Sequence, residues 1–559
     1  MLRIFTIVLL LVCIFFTGNP AWSQQHVFNV DTTVTLIDAY ASPYNLIQPG
    51  DTVVLSSGMR KLLRIQNFSG EKDKPVIFMN LNGQVIINTD HYYGMSILNC
   101  RYFRLTGTGD VNNFYGISIS RVANGAGIGI GGGSSDYEID HVSIENCLSA
   151  GIFAKTDPDC SLLTTRDKFT QFNTLIHDNY IGHVGTEGLY IGSTQYFGET
   201  INCSGVDTLL MPSLLEGVKV YKNIIEYSGW DGIQVSSASK DCEINDNMIL
   251  FDSRKEYYGQ MSGIIIGGGS HCDCYNNFIS QGNGQGIQVF GLAGEKLFNN
   301  IIIDAGKNFF PTDSTRMVYG IFVTDITAEK DSAFTIAYNT IINPKSDGIR
   351  FVSTITKNNL IASNLIVNPG NYNYYENGHT SFHGEDAYIM FPAGSANTVV
   401  KQNFLTRILS DAQLSDTGFM PCPGSPLINA AYPEFNSINF DFYNHIRPYG
   451  NTADIGAVEF NPDFVGIGSS HSAFLKAVEL YPNPVRSTLC MLFHSTDLSG
   501  AKLDVYNLQG NLVRSIYQPY FAGKEQKIQL HVDDLDAGIY LYILSSAGKK
   551  DSGKFIKVN

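Results

Sequence analysis

One short phrase recurs along the middle of this chain: glycine, an aliphatic residue, any residue, then an apolar one. It reads GISI from Gly116, GIGI from Gly127, GIFA from Gly151, GLYI from Gly188 and GIQV from Gly232. It continues as GIII from Gly263, GIQV from Gly286, GIFV from Gly320 and GIRF from Gly348. From Gly127 on, successive glycines stand 23 to 44 residues apart. That is the interval of a repeat array, and each unit reads as short strands rather than helices. Asn179, Asn223, Asn277 and Asn339 each lie nine residues before such a glycine, with an Ile two residues further on. Alternation within GIQV predicts Ile233 and Val235 inward and Gln234 outward. The glycine is expected to permit a sharp bend or a positive φ where one strand turns into the next. A single unit buries almost nothing, but stacking in register turns the Ile positions into a continuous core. The Asn positions are then placed to form hydrogen-bonded side-chain ladders. Composition agrees: 54 Gly and 64 Phe plus Tyr favour strand over helix.

The N-x-I…G-I-x-[IV] pattern resembles that of the right-handed parallel β-helix, over about residues 94–370. Upstream, PGDTVVLSSGMRKLLRIQNFSGEKDKPVIFMNLNGQVII (49–87) looks like the opening coils of secreted β-helix proteins, including alginate-lyase and chondroitinase-type polysaccharide lyases. Downstream, GSPLINAAYPEF…DFYNHIRPYGNTADIGAVEF (424–460) is similar to the closing segment of many extracellular β-helices. A cap is expected there because an open end exposes unpaired strand edges. Residues 461–475 then read as a Gly/Ser-containing linker.

In the last stretch, 476–559, LYPNPVRSTL, LDVYNLQGNLVRS, LDAGIYLYIL and GKFIKVN resemble a type A sorting domain of the type IX secretion system. Read on their own, these are short alternating strands with turns, a β-sandwich of about 80 residues. The resemblance implies the secretion machinery as a partner. It also implies passage across an outer membrane, followed by release or attachment to the cell surface. The expected class is therefore all-β, a right-handed parallel β-helix over 24–460 with terminal caps, followed by a small C-terminal β-sandwich.

The N-terminus agrees with export. Arg3, the apolar run Ile4 to Phe16 and the triplet Ala21-Trp22-Ser23 predict a secretory signal peptide, residues 1–23. The run is shorter than the ~20 residues that span a bilayer, so no transmembrane segment is expected in the mature chain. The formal charge of −15, with no basic run, argues against nucleic acid. It also disfavours an anionic polysaccharide unless a local basic groove or bound cations compensate. Nine cysteines remain after Cys13, none with zinc-site spacing. Cys147, Cys242 and Cys272 fall in strand-like segments and read as small buried core residues.

Where two adjacent coils swell, chemistry has room. After Ile152 the chain runs through Lys155, Arg166 and Lys168 before the next strand near Thr174. After Ile191 it makes a second excursion. Long loops of this kind usually carry function. Each holds one cysteine, which makes Cys160–Cys203 the preferred disulfide. Beside the loops, the outward repeat position reads Phe153, Tyr190, Gln234, Ile265, Gln288, Phe322, Arg350. Phe153 and Tyr190 suit a sugar-stacking platform, or burial beneath the loops.

The position before each glycine reads Glu187, Asp231, Ser262, Gln285, Tyr319, Asp347. Glu187 and Asp231 would stack at the ~4.8 Å of a sheet, which permits a general acid/base pair or a Ca2+ site. Acidic residues also simply suit a turn before glycine. His183, with His177 nearby, completes the candidate catalytic set; Trp230 and Gln234 join Phe153 and Tyr190 as candidate substrate-binding residues, and Lys155, Arg166 and Lys168 suit a uronate carboxylate. The basic Asn…His-Gly-Asp-Lys…Arg motif of the alginate-lyase-like family is not found; HGED at 383–386 lacks its Lys. Two readings stand: a polysaccharide-active enzyme (lyase, hydrolase or epimerase) working near residues 151–235, and a non-catalytic surface module for glycan binding or adhesion.

Overall fold

The computed structural model describes residues 26–557, apart from 111–112, 310–316, 371–386, 416–418, 434–436, 462–475, 482–484, 495–498, 508–511, 521–524 and 547–548. HGED, most of the 461–475 linker and residues 1–25 lie outside the described residues. Within them the chain winds as a parallel β-helix. One face is a 12-stranded parallel sheet running from Leu36–Asp38 through Ile152–Ala154, Leu189–Ile191 and Ile233–Val235 to Ile389–Met390. The other faces join in a 23-stranded sheet, two parallel stacks meeting at one sharp corner. Thus Thr174–His177 and Tyr180–Gly182 belong to one coil, and pair with Lys219–Tyr221 and Ile224–Glu226 of the next. The Ile and Val positions fill a single core that runs the length of the stack.

The corner explains the asparagines. Asn179, Asn223, Asn247, Asn277, Asn300, Asn339, Asn364 and Asn403 form one ladder, each Nδ2 donating to the next Oδ1 at 2.9–3.1 Å. The residue ahead of each turns the chain with a positive φ, from 44° at Gln402 to 59° at Ser363. A left-handed non-glycine residue costs roughly 1–2 kcal/mol. The ladder offsets that cost by pairing the buried Asn side chains of successive coils.

The repeat glycines have a different cause from the one expected. None of the eight from Gly127 to Gly348 has a positive φ. A Cβ on Gly232 would instead lie 2.6 Å from the carbonyl oxygen of Gly263 and 2.6 Å from Ile249 Cγ2, and the other seven meet the same obstacle. Close approach of coil to coil, not turn geometry, demands glycine. The GISI copy at Gly116 belongs to another stack, pairing with Val142–Glu145, and Gly94 supplies that coil's glycine in the 12-stranded sheet.

Two further expectations change. Cys242 and Cys272 are paired directly across adjacent coils and form a disulfide, whereas Cys147 is a buried free thiol. The 424–460 segment packs along the flank of the ladder corner. Its buried Arg447 bonds Asn299 Oδ1 at 3.0 Å and Glu459 Oε2 at 3.0 Å and lies over the Tyr338 ring. The C-terminal residues form a three-stranded and a four-stranded antiparallel sheet that share a core of Leu489, Met491, Leu503, Ile528, Leu530 and Phe555. This is a β-sandwich.

Candidate functional site

On the 12-stranded sheet, the position two after each glycine forms one outward column in register: Ser96, Gly129, Phe153, Tyr190, Gln234, Ile265, Gln288, Phe322, Arg350. The position before each glycine forms a second column beside it. Ser262 Oγ donates to Gln288 Oε1 at 2.9 Å, Arg350 pairs with Asp347 at 2.9 Å, and Tyr319 meets Phe322 at 5.2 Å between ring centroids. The two columns therefore make a single strip. Glu187 and Asp231 lie on it with Phe153, Tyr190 and Gln234.

The two loops frame this strip. Cys160 and Cys203 join them in a disulfide with Cα atoms 5.5 Å apart. Arg166 ties them further, donating to the carbonyls of Pro212 and Tyr196 and lying 4.4 Å from the Tyr196 ring. Its contacts hold the loops together. Lys168 is exposed. Lys155 sits 5.0 Å from the Tyr190 centroid and pairs with Asp157 at 2.9 Å. Burial opposes its charge, but Tyr190 and Asp157 hold it above its ordinary value. Phe153 and Tyr190 stand edge to face at 5.3 Å, both half-buried. One coil upstream, a Cβ on Gly129 would meet nothing within 4 Å. The result is an open ledge with two aromatic rings and a cation.

Downstream the strip is covered. Gln234 is fully buried, and Ile265 and Gln288 are nearly so. The Tyr196 ring lies where a Cβ of Gly269 would stand. At the corner beside Gln234, Asp231 is 0 % exposed and Glu187 3 %. Both Asp231 carboxylate oxygens and both Gln234 amide atoms lack a hydrogen-bond partner within the protein, as do Thr186 Oγ1, Ser236 Oγ and Asp252 Oδ2. Burial, then the charges of Glu187 and Asp252, push Asp231 well above its ordinary value. Burial also raises Glu187, and lifts Asp252 to about 7. Buried carboxyls so arranged either hold protons or share a cation.

His183 is not part of this corner. It occupies the left-handed position that ends strand Tyr180–Gly182, as Tyr227 and Phe251 do in the following coils, with φ of 53–54°. Its ring stacks on Tyr227 at 4.7 Å and Tyr227 on Phe251 at 4.7 Å. Among the described residues no contact joins it to Glu187 or Asp231. Trp230 stacks on Tyr257 at 4.7 Å, beside the strip rather than on it. The grouping of His183, Glu187 and Asp231 expected from proximity in sequence is thus divided between two surfaces.

A cluster that spacing alone did not reveal lies on the 23-stranded sheet. Arg104 Nε lies 2.7 Å from Asp140 and 3.2 Å from Glu138, while His177 Nε2 lies 3.1 Å from Glu138 and Nδ1 2.7 Å from Asp178. Glu138, Asp140 and His177 are close enough to share an ion. Yet Asp178 and Glu138 overcome burial and raise His177 to about 9, and Asp140 falls to about 2 with His141 and Arg104 as its partners. With His177 protonated the group is an ion-pair network, and a cation enters only by displacing that proton.

Residues 213–387 match the family described as right handed beta helix region, and residues 479–558 the secretion system C-terminal sorting domain. The chain is a right-handed β-helix carrying a type IX secretion sorting domain. The sorting domain marks the β-helix for the secretion machinery and for a secreted or cell-surface location. Among the described residues no helix is long and apolar enough to cross a membrane. No curated protein matches the chain. Among solved structures, an alginate lyase from Paenibacillus sp. str. FPU-7 aligns at 13% identity and TM-score 0.36, covering 57% of this chain and 95% of its own. Pectate lyase Pel9A aligns at 12% and 0.37, covering 78% and 96%. Tailspike protein 2 from Escherichia coli O157:H7 bacteriophage CAB120 aligns at 10% and 0.25, covering 94% and 64%. At these identities none of them supplies a residue role.

Proposed function

We propose that this exported β-helix binds an extracellular polysaccharide along the strip of the 12-stranded sheet, with the ledge at Phe153 and Tyr190 as the contact. The supporting observation is the ledge itself: two half-exposed rings edge to face, Lys155 beside one of them, and open space at Gly129 for the next sugar. Aromatic faces suit the apolar faces of pyranoses, and the cation suits a carboxylate or hydroxyl. The corner behind the ledge takes a divalent cation, with Glu187 and Asp231 as carboxylate donors and Gln234 as a carbonyl donor, the oxygen set that Ca2+ prefers. The test is affinity electrophoresis of the chain lacking residues 1–23 through a panel of polysaccharides, with and without Ca2+. Retardation by at least one polysaccharide that disappears in Phe153→Ala and Tyr190→Ala supports the ledge. Retardation that both variants retain removes it.

A second reading is catalysis by Glu187 and Asp231 as a lyase, hydrolase or epimerase, favoured by the raised pKa of both carboxyls. Set against it are the complete burial of Asp231 and the placement of His183 elsewhere. Unsaturated uronide and new reducing ends, followed in parallel, distinguish the reactions. A signal lost in Glu187→Gln would make the strip an active site.

A further inference from the structure

On the edge of the β-helix beyond the 12-stranded sheet, four successive turns leave an open groove of about 390 Å³. Its floor is backbone. Gly185 N donates to Cys147 O, Gly229 N to Val184 O and Lys255 N to Gly229 O, each at 2.8 Å. A Cβ on Gly185 would lie 1.9 Å from Leu148 O and 3.2 Å from Lys255 Nζ, and one on Gly229 would lie 3.2 Å from Lys255 Cδ. The two glycines thus let the Lys255 stem lie across the floor and carry its ammonium into the groove.

Arg254 stands beside it, its N–H bonded to Ser228 O at 3.0 Å, and Ser253 N is bonded to Trp230 O at 2.9 Å. Three consecutive backbone bonds therefore fix where the two cations emerge. Both are exposed, and neither enters an ion pair among the described residues. The opposite rim is His183, with Arg486 Nη2 3.0 Å from its Nε2. Leu148, 58% exposed, and Tyr227 supply apolar surface. A chain of net charge −15 has here set two exposed cations beside the apolar surfaces of Leu148 and Tyr227.

We infer that this groove is a binding site for a carboxylated saccharide residue. Its carboxylate would be held between Arg254 and Lys255 and its ring set against Leu148 and Tyr227. Neither cation forms a salt bridge among the described residues, and charge complementarity in a chain of net negative charge selects an anion. The aromatic surface, continued by the stacked pair Trp230 and Tyr257 next to Gly229, favours a sugar over an acidic peptide. The site is separate from the ledge, so either stands if the other fails.

Trp230 is the sole tryptophan once residues 1–23 are absent, and it adjoins the groove. Its fluorescence is titrated with oligogalacturonate, the carboxyl-reduced form of the same oligomer, and polyglutamate. A saturable change is expected with oligogalacturonate alone, weakened by salt and about tenfold weaker in Arg254→Ala and in Lys255→Ala, the usual worth of a charge-assisted hydrogen bond. Tyr190→Ala, which tests the ledge, is expected to leave this response intact. Equal responses to the reduced oligomer or to polyglutamate would overturn the inference. So would no response at all, or full affinity in the Arg254→Ala/Lys255→Ala double variant while its melting temperature matches the parent.

Discussion

Asp252→Asn tests the acidic corner most directly, because its effect has a sign that ordinary packing does not predict. Asp252 is wholly buried, with Ser253 bonded to one carboxylate oxygen at 2.6 Å and the other oxygen without a partner. Burial moves its pKa from 3.8 to about 7. A raised carboxyl pKa means that the folded state binds the proton more tightly than the unfolded chain. The stability it permits is complete below about pH 4, falls as pH rises, and is lost above about pH 7. At 1.36 kcal/mol per pH unit the loss is about 4 kcal/mol. Asparagine cannot ionise. The variant is therefore expected to match the parent near pH 4 and to exceed it by up to about 4 kcal/mol near pH 8 in the presence of chelator. Urea unfolding followed by far-ultraviolet circular dichroism at both pH values measures the difference. Other groups titrate in both proteins, so only the change between them counts. Parallel pH profiles, or a variant less stable than the parent at pH 8, would refute the account of the corner. Added Ca2+ is expected to stabilise the parent at pH 8 and to do so less in Asp231→Asn.

The scaffold yields further tests. Asn277→Ala removes the acceptor of Asn247 N–H at 3.1 Å and the donor to Ile244 O at 2.8 Å. Two buried groups left unpaired cost about 3 kcal/mol, which urea unfolding would register. Gly232→Ala drives a Cβ to 2.6 Å from Gly263 O; a loss of about 1–3 kcal/mol is expected, and an unchanged midpoint would show that the coils are less tightly stacked than described. Cys160→Ser removes the covalent tie between the two loops and leaves those of Arg166; polysaccharide retardation is expected to weaken while the core's unfolding midpoint scarcely moves.

The glycine and Ile positions were legible in the sequence because they repeat by pattern rather than by spacing. Only half of the ladder was. Asn247 and Asn300 escape a fixed nine-residue rule because the turn between Asn and Gly varies in length, Asn364 and Asn403 because they lie beyond the last repeat glycine, Gly348, and only coil pairing aligns them. The same holds for Cys242 with Cys272, and for Arg104, Glu138 and His177, which come together through strand register alone. The two swollen coils, Phe153 and Tyr190 could be read directly. The full burial of Asp231 and Gln234 could not, since the spacing of the repeat does not show how far neighbouring turns close over them. His183 and Glu187 lie in one turn between Tyr180–Gly182 and Leu189–Ile191, but the stacking of His183 on Tyr227 depends on coil pairing and is not visible in four residues of sequence.

The asparagine ladder also governs what can vary. At that corner the chain always crosses between stacks in the same two steps, a left-handed residue and an Asn, from Asp178-Asn179 to Gln402-Asn403. The 23 to 44 residues between successive glycines must therefore find all their variation at the other two corners. The molecule has one closed seam and two open margins. The loops that frame the ledge lie on one margin and the cationic groove on the other. Residues can be gained or lost at either margin without breaking a single rung, so binding surfaces are free to change while the seam keeps count of the coils.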